Sequence, residues 1–178
     1  MPLTLIKEDG TGRADANSYA NVTDGDAYHA GHLYATAWTG ATADNKAAAL
    51  VMASRVIDAE FQFNGVKTSA AQALQWPRSD CRDPDAVATS GGSGVVASNV
   101  VPKAILDATC ELARELLTLD RTAAPPGEGI ASDWTSTAGK KYSKTDVRPI
   151  LPRLVLSLLS KHGAPVCRGG WGVKLVRA

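Results

Sequence analysis

His29 and His32 stand three residues apart, close to Asp24 and Asp26. On a helix that spacing puts two imidazoles on one face, where they would offer a divalent cation a pair of ligands. A zinc site wants three or four ligands braced by further hydrogen bonds, and no cysteine lies nearby, so a solvated helix face fits these residues better and no metal is expected. Cys110 would need a histidine beside it to act as a nucleophile; between Ile105 and Leu112 it reads as a small buried hydrophobe. Glu111 and Glu115 resemble a catalytic carboxylate pair, yet with Arg114 between them they read as a charged outer stripe. The chain has no Gly-x-Gly-x-x-Gly after a strand, no Walker sequence and no Gly-x-Ser-x-Gly. Nucleotide-binding and hydrolytic chemistry therefore lack support, and neither a catalytic residue nor a cofactor is expected.

What remains is recognition. Lys140, Lys141 and Lys144, interleaved with Tyr142, form the densest basic cluster and are candidate phosphate contacts. Trp76-Pro77-Arg78 predicts a core anchor, the indole filling a gap between helices while Arg78 pairs with a helix carboxylate. Asn17-Ser18-Tyr19 predicts a turn that seats Tyr19. Near the far end, Gly169-Gly170-Trp171-Gly172 leads into the alternating run Val173-Lys174-Leu175-Val176-Arg177, which reads as a strand suited to adding onto another subunit.

Several elements must position these residues. Residues 3–6 read as a short strand broken by Gly10 and Gly12, and Thr23 with Asp26 as a weak capping box opening a helix to about Tyr34. Ala47, Leu50, Val51, Ser54, Ile57 and Phe61 recur at helical spacing, as do Ile105, Ala108, Leu112, Leu116 and Leu119 after Pro102. A further helix is predicted from Arg148 and Pro149 to Lys161-His162-Gly163, burying Leu151, Leu154, Val155, Leu158 and Leu159. Residues 68–74 suggest a short helix stopped by Pro77, and 134–142 an irregular hairpin. The fold class expected is mainly α: a small helical bundle with long loops at 82–99 and 122–145, spanning 1–163, followed by an extended arm over 164–178.

Composition narrows the function classes. The 178 residues are 44% hydrophobic and 6% aromatic, with a formal net charge of +1, and the isoelectric point is near 7.7. A dedicated nucleic-acid binder carries a strong basic excess, so any DNA contact is expected to be local or weak. Cys81, Cys110 and Cys167 are widely spaced and odd in number, which argues for a reducing compartment. Neither a signal peptide nor a run of about 20 apolar residues is visible, so a soluble protein with no membrane partner is expected.

The order and spacing of several motifs resemble one family along nearly the whole chain. They are Asp15-Ala16-Asn17-Ser18-Tyr19, Trp38, Arg55-Val56-Ile57-Asp58, Phe63-Asn64-Gly65, Gln72-x-Leu74-x-Trp76-Pro77-Arg78, Val101-Pro102 with Glu111-Leu112-Ala113, and the closing Val173 to Arg177 run. The family is that of the head-tail connector adaptors, or head completion proteins, of tailed bacteriophages, often labelled DnaT-like single-stranded-DNA-binding proteins. The resemblance implies a virion structural protein, assembled in the host cytoplasm, that forms a dodecameric ring at the head-tail interface. Its partners would be the portal protein, neighbouring copies of itself, a downstream tail or stopper protein and, transiently, genomic DNA. It implies that Trp171, Val173, Lys174, Leu175, Val176 and Arg177 form a portal-binding arm and that Lys140, Lys141 and Lys144 approach the DNA channel. The rival expectation is the label itself, a single-strand binder, against which the absence of basic excess weighs.

Overall fold

The computed structural model describes residues 3–86, 94–124, 132–134, 139–141 and 148–166. Among them are five helices: α1 (Val22–His29), α2 (Thr36–Thr39), α3 (Ala43–Glu60), α4 (Lys103–Leu116) and α5 (Arg153–Leu159). Six short strands make three antiparallel ribbons: β1 (Phe61–Phe63) with β6 (Gly163–Pro165), β2 (Val66–Lys67) with β3 (Arg78–Ser79), and β4 (Ser132–Trp134) with β5 (Gly139–Lys141). The helical share is moderate, because ribbons and hydrogen-bonded turns carry much of the chain between helices. The hairpin expected over 134–142 is the β4–β5 ribbon, one or two residues displaced.

Helix α4 sits at the centre, packed against α1, α2, α3 and α5. Its position explains why its buried residues run nearly all round it: Ile105, Ala108, Thr109, Cys110, Glu111, Leu112 and Ala113. Thr109, which has no aqueous partner there, turns its hydroxyl back to donate to the Ile105 carbonyl at 2.8 Å. On α3 the buried face carries Ala49, Ala53 and Ser54 among Leu50, Val51, Val56 and Ile57, small residues that let the two long helices approach closely. Thr42 caps α3, its hydroxyl accepting from the Asn45 amide. The helix gives way at Phe61, where the alternation of buried Phe61 and Phe63 about exposed Gln62 suits a strand.

Local expectations fail where side chains outcompete the backbone. Residues 3–6 form no strand: Ile6 is held by Asn17, whose Oδ1 accepts from the Ile6 amide at 2.8 Å, and only an isolated parallel bridge joins Lys7 to Ser18. Residues 68–74 form turns, because the Gln72 amide takes over the hydrogen bonds a helix would use. Its Oε1 accepts from the Ser69 amide and the Thr68 hydroxyl, and its Nε2 donates to the Leu74 and Pro77 carbonyls, all at 2.9–3.0 Å.

The capping box of α1 is Asn21 with Asp24, two residues earlier than Thr23 with Asp26, since Asn21 has the extended backbone a cap requires. Helix α1 stops at His29, and the single turn α2 brings Trp38 onto Gly25, where a Cβ would lie 2.3 Å from the indole. Helix α5 starts at Arg153 because Pro152 holds its predecessor out of helical geometry. It buries Val155 and Leu159 beneath Leu151 and leaves Leu154 exposed, contrary to expectation. The ends of the 82–99 loop are drawn together by an Arg82–Val95 bridge and by the Val96 amide donating to the Cys81 carbonyl at 2.8 Å.

Candidate functional site

Two polar clusters lie inside the fold, and they take in Tyr19, Trp76 and Arg78 on one side and His29, His32 and Glu111 on the other. The first joins the start of the chain, α3 and the segment after β2. Tyr19 is fully buried; its hydroxyl donates to Asp58 Oδ1 and accepts the amides of Gln75 at 3.0 Å and Trp76 at 3.3 Å. Asp58 Oδ2 accepts the Gln75 amide at 3.1 Å. The Tyr19 amide donates to the Ser54 hydroxyl at 3.1 Å, which pins the Asn17-Ser18-Tyr19 turn to α3. Burial pushes the Asp58 carboxyl up to about 6, against the opposing pull of the Tyr19 and Gln75 hydrogen bonds, and burial with the neighbouring Asp58 charge raises the Tyr19 phenol well above its ordinary range.

Trp76 is buried beside Phe63 and His162, with ring centroids 5.8 Å away in each case, so the core-anchor expectation holds. Arg78 departs from expectation by pairing with carbonyls: Asn64 at 2.7 Å, Gly65 at 2.6 Å and Gln75 at 3.1 Å. A turn strand lies closer to this guanidinium than any helix carboxylate, and its carbonyls match the planar fork. Gly65, at φ 73°, makes that turn; a Cβ there would meet the Ser79 carbonyl at 2.2 Å.

The second cluster lies between α1 and α4. His29, expected on a solvated face, is buried, its Nε2 3.1 Å from the Cys110 carbonyl. Burial lowers its pKa, so the neutral ring donates from Nε2 and leaves Nδ1 without a partner among the described residues. His32 Nδ1 accepts the Tyr34 amide at 3.0 Å, and its Nε2 lies 3.6 Å from Glu111 Oε2. Glu111, expected on an outer stripe, is buried because α4 is enclosed on several sides; it pairs with Arg114, which also reaches Glu115 at 2.8 Å. Arg121 extends the chain of charge, binding Glu115 at 3.3 Å and the Ile150 carbonyl at 3.0 Å.

These contacts decide the chemistry. Asp24 is engaged as a cap and by Lys7 at 2.7 Å, and Asp26 accepts from Trp38 Nε1 at 2.8 Å and Lys46 at 2.7 Å, so neither joins the histidines. Among the described residues no three His, Cys, Asp or Glu side chains gather as a metal site. Burial pushes the Cys110 thiol up to about 12, which keeps it protonated near neutrality and unsuited to nucleophilic attack. One anchor was missed in the sequence: Glu8, buried, receives the amides of Gly10, Gly12 and Arg13, each at 2.9 Å. Its signal was the two glycines that follow it, spaced to fold the backbone around a carboxylate.

Of the basic cluster, Lys140 and Lys141 lie in β5, paired in register with Asp133 and Ser132. Lys144 and the expected arm residues Trp171, Val173, Lys174, Leu175, Val176 and Arg177 lie outside the described residues, as does Cys167. No described helix is long and apolar enough to cross a membrane.

No curated protein and no solved structure matches the chain. A protein-family model does match it, over residues 3–177, and takes in the Tyr19, Asp58 and Trp76 cluster whole. With all but a few residues inside that match, the chain belongs to the family described as "putative DnaT-like ssDNA binding protein".

Proposed function

We propose that the protein works by binding rather than by catalysis, and that single-stranded DNA is its ligand. The family match over 3–177 carries this reading, and it favours the single-strand label over the connector role that the motifs suggest. Surfaces of this kind join phosphate pairing to base stacking. Trp38, Trp76, Phe61 and Phe63 are buried and unavailable for stacking, whereas Tyr34 is 76% exposed and lies beside His32. Lys140, Lys141 and Lys144 supply the phosphate partners.

Fluorescence anisotropy with a labelled oligonucleotide across a salt series tests this. Three phosphate contacts predict log K falling against log salt with a slope of about −2. Loss of both the slope and the affinity in a Lys140→Ala, Lys141→Ala, Lys144→Ala chain supports the reading; wild-type affinity weaker than about 10⁻⁴ M at physiological salt defeats it.

A second reading, a ring-forming head-tail connector adaptor located in the virion, keeps one observation in its favour. Tyr19 and Asp58 bond one another and the 75–76 backbone, and Gln72 and Arg78 bond the Pro77 and Gln75 carbonyls, so the motif residues are engaged in holding the scaffold together. Electron microscopy of virions for a ring of this protein under the portal distinguishes the two.

A further inference from the structure

The cluster around Tyr19 and Asp58 borders a pocket of about 350 Å³, walled by Asp58, Gln75 and Arg78 and by the strand β1. Gln62 and Val166, both exposed, line it as well. Asp58 itself is half-buried, so one side of its carboxyl faces this space. The volume is at the low end for ligand sites and suits one small planar group.

These walls keep hydrogen-bonding capacity beyond what the scaffold uses. Oδ1 of Asp58 accepts from the Tyr19 hydroxyl and Oδ2 from the Gln75 amide, whereas each oxygen of an ionised carboxylate has a second lone pair to offer. With a pKa of about 6 the carboxyl is ionised at neutral pH. Gln75 gives its main-chain N–H to Tyr19 and Asp58, and its carbonyl and Oε1 accept from Arg78, which leaves its Nε2 without a partner among the described residues. Arg78 donates from Nη2 to the Gly65 carbonyl at 2.6 Å, one of the two hydrogens on that nitrogen. The pocket therefore sets a carboxylate acceptor beside amide and guanidinium donors.

The edges of the bases decide what such walls select. Guanine presents two adjacent donors, N1–H and the N2 amino group, with the O6 acceptor next to them, and a carboxylate meets that pair with both oxygens. Thymine sets its N–H between two carbonyls, and adenine and cytosine set an amino group beside a ring nitrogen that a carboxylate repels. We propose that the pocket takes a guanine of a bound single strand, its N1–H and N2–H on Asp58 and its O6 on Gln75 Nε2 or Arg78. Tyr19 is then a positioning residue, its hydroxyl fixing the carboxylate and, through the Gln75 and Trp76 amides, the facing wall. The inference rests on the single-strand reading and adds to it a base preference that phosphate contacts cannot supply.

The test compares, by fluorescence anisotropy on the full chain, a thymine oligonucleotide with the same strand carrying one central guanine, adenine or cytosine. Wild type is expected to bind the guanine strand about tenfold tighter than the other three. In Asp58→Asn that preference should vanish while the affinity for the thymine strand and the circular dichroism stay unchanged. Should Asp58→Asn fail to fold, Gln75→Ala decides in its place, since the main chain of Gln75 keeps its contacts to Tyr19 and Asp58 and the guanine preference should fall several-fold. Equal affinity for all four strands, preference for another base, or a guanine preference that survives the deciding variant overturns the pocket and leaves the single-strand reading standing. Absence of binding to every strand overturns both.

Discussion

The two buried polar clusters solve the same problem in different ways. Around Tyr19 and Asp58 the partners are largely backbone groups: the amides of Gln75 and Trp76, and the carbonyls that Arg78 clamps. Around α1 and α4 backbone contacts at the Cys110 and Ile150 carbonyls and the Tyr34 amide are joined by a chain of ionisable side chains, His32, Glu111, Arg114, Glu115 and Arg121, paired with one another. Backbone partners cannot rotate away, so the first cluster fixes where three distant chain segments meet. Ion pairs between side chains can exchange partners, so that part of the second cluster ties the helices together without dictating their path.

The largest effect should come from emptying the first cluster. Trp76→Ala removes a fully buried indole and is expected to cost about 3–5 kcal/mol, read as a shifted denaturant midpoint. A change below about 1 kcal/mol would mean the segment after β2 is not the anchor.

Next in size is the pH response, where the clusters should differ in sign. Asp58 is pushed up to about 6 from its ordinary 3.8, so the folded protein holds that proton more tightly than the unfolded chain. Its contribution is complete below the unfolded value and is lost as pH rises through about 6, about 3 kcal/mol in all. The stability difference between wild type and Asp58→Asn should fall across that window; a flat difference would refute the shift.

His29 is lowered from 6.5 by burial, so its contribution is complete above 6.5 and is lost as pH falls through the folded value. Subtracting the curve of His29→Gln separates it from His162, which is lowered in the same direction. Acidification from neutrality should therefore cost wild type more than the variant. The opposite slope would mean that the ring gains a partner on protonation.

The smallest effect belongs outside both clusters. Asp15 pairs with Arg13 at 2.9 Å on the surface, and Asp15→Ala should leave the melting temperature unchanged, although Asp15 belongs to the same motif as Tyr19. A clear drop would mean that the Arg13 loop, and with it the cradle around Glu8, depends on the pair.

Much of the framework was legible in the residues themselves. The periodic runs of α3 and α4 and the burial of Trp76, Tyr19 and Cys110 follow from spacing and side-chain type, which are local properties. The family relationship too was carried by short motifs in fixed order. Tertiary structure alone decided the roles that depend on what lies across the space. His29 and Glu111 read as surface residues because nothing nearby in the chain showed that α4 would be enclosed by α1, α2, α3 and α5. Arg78 took carbonyls in place of a carboxylate because the ribbon of β2 and β3 brought them nearer. Residues 68–74 lost their helix to the side chain of Gln72. Periodicity records which face of a segment is apolar, whereas the partner of a polar group is set by segments tens of residues away, and only folding brings those together.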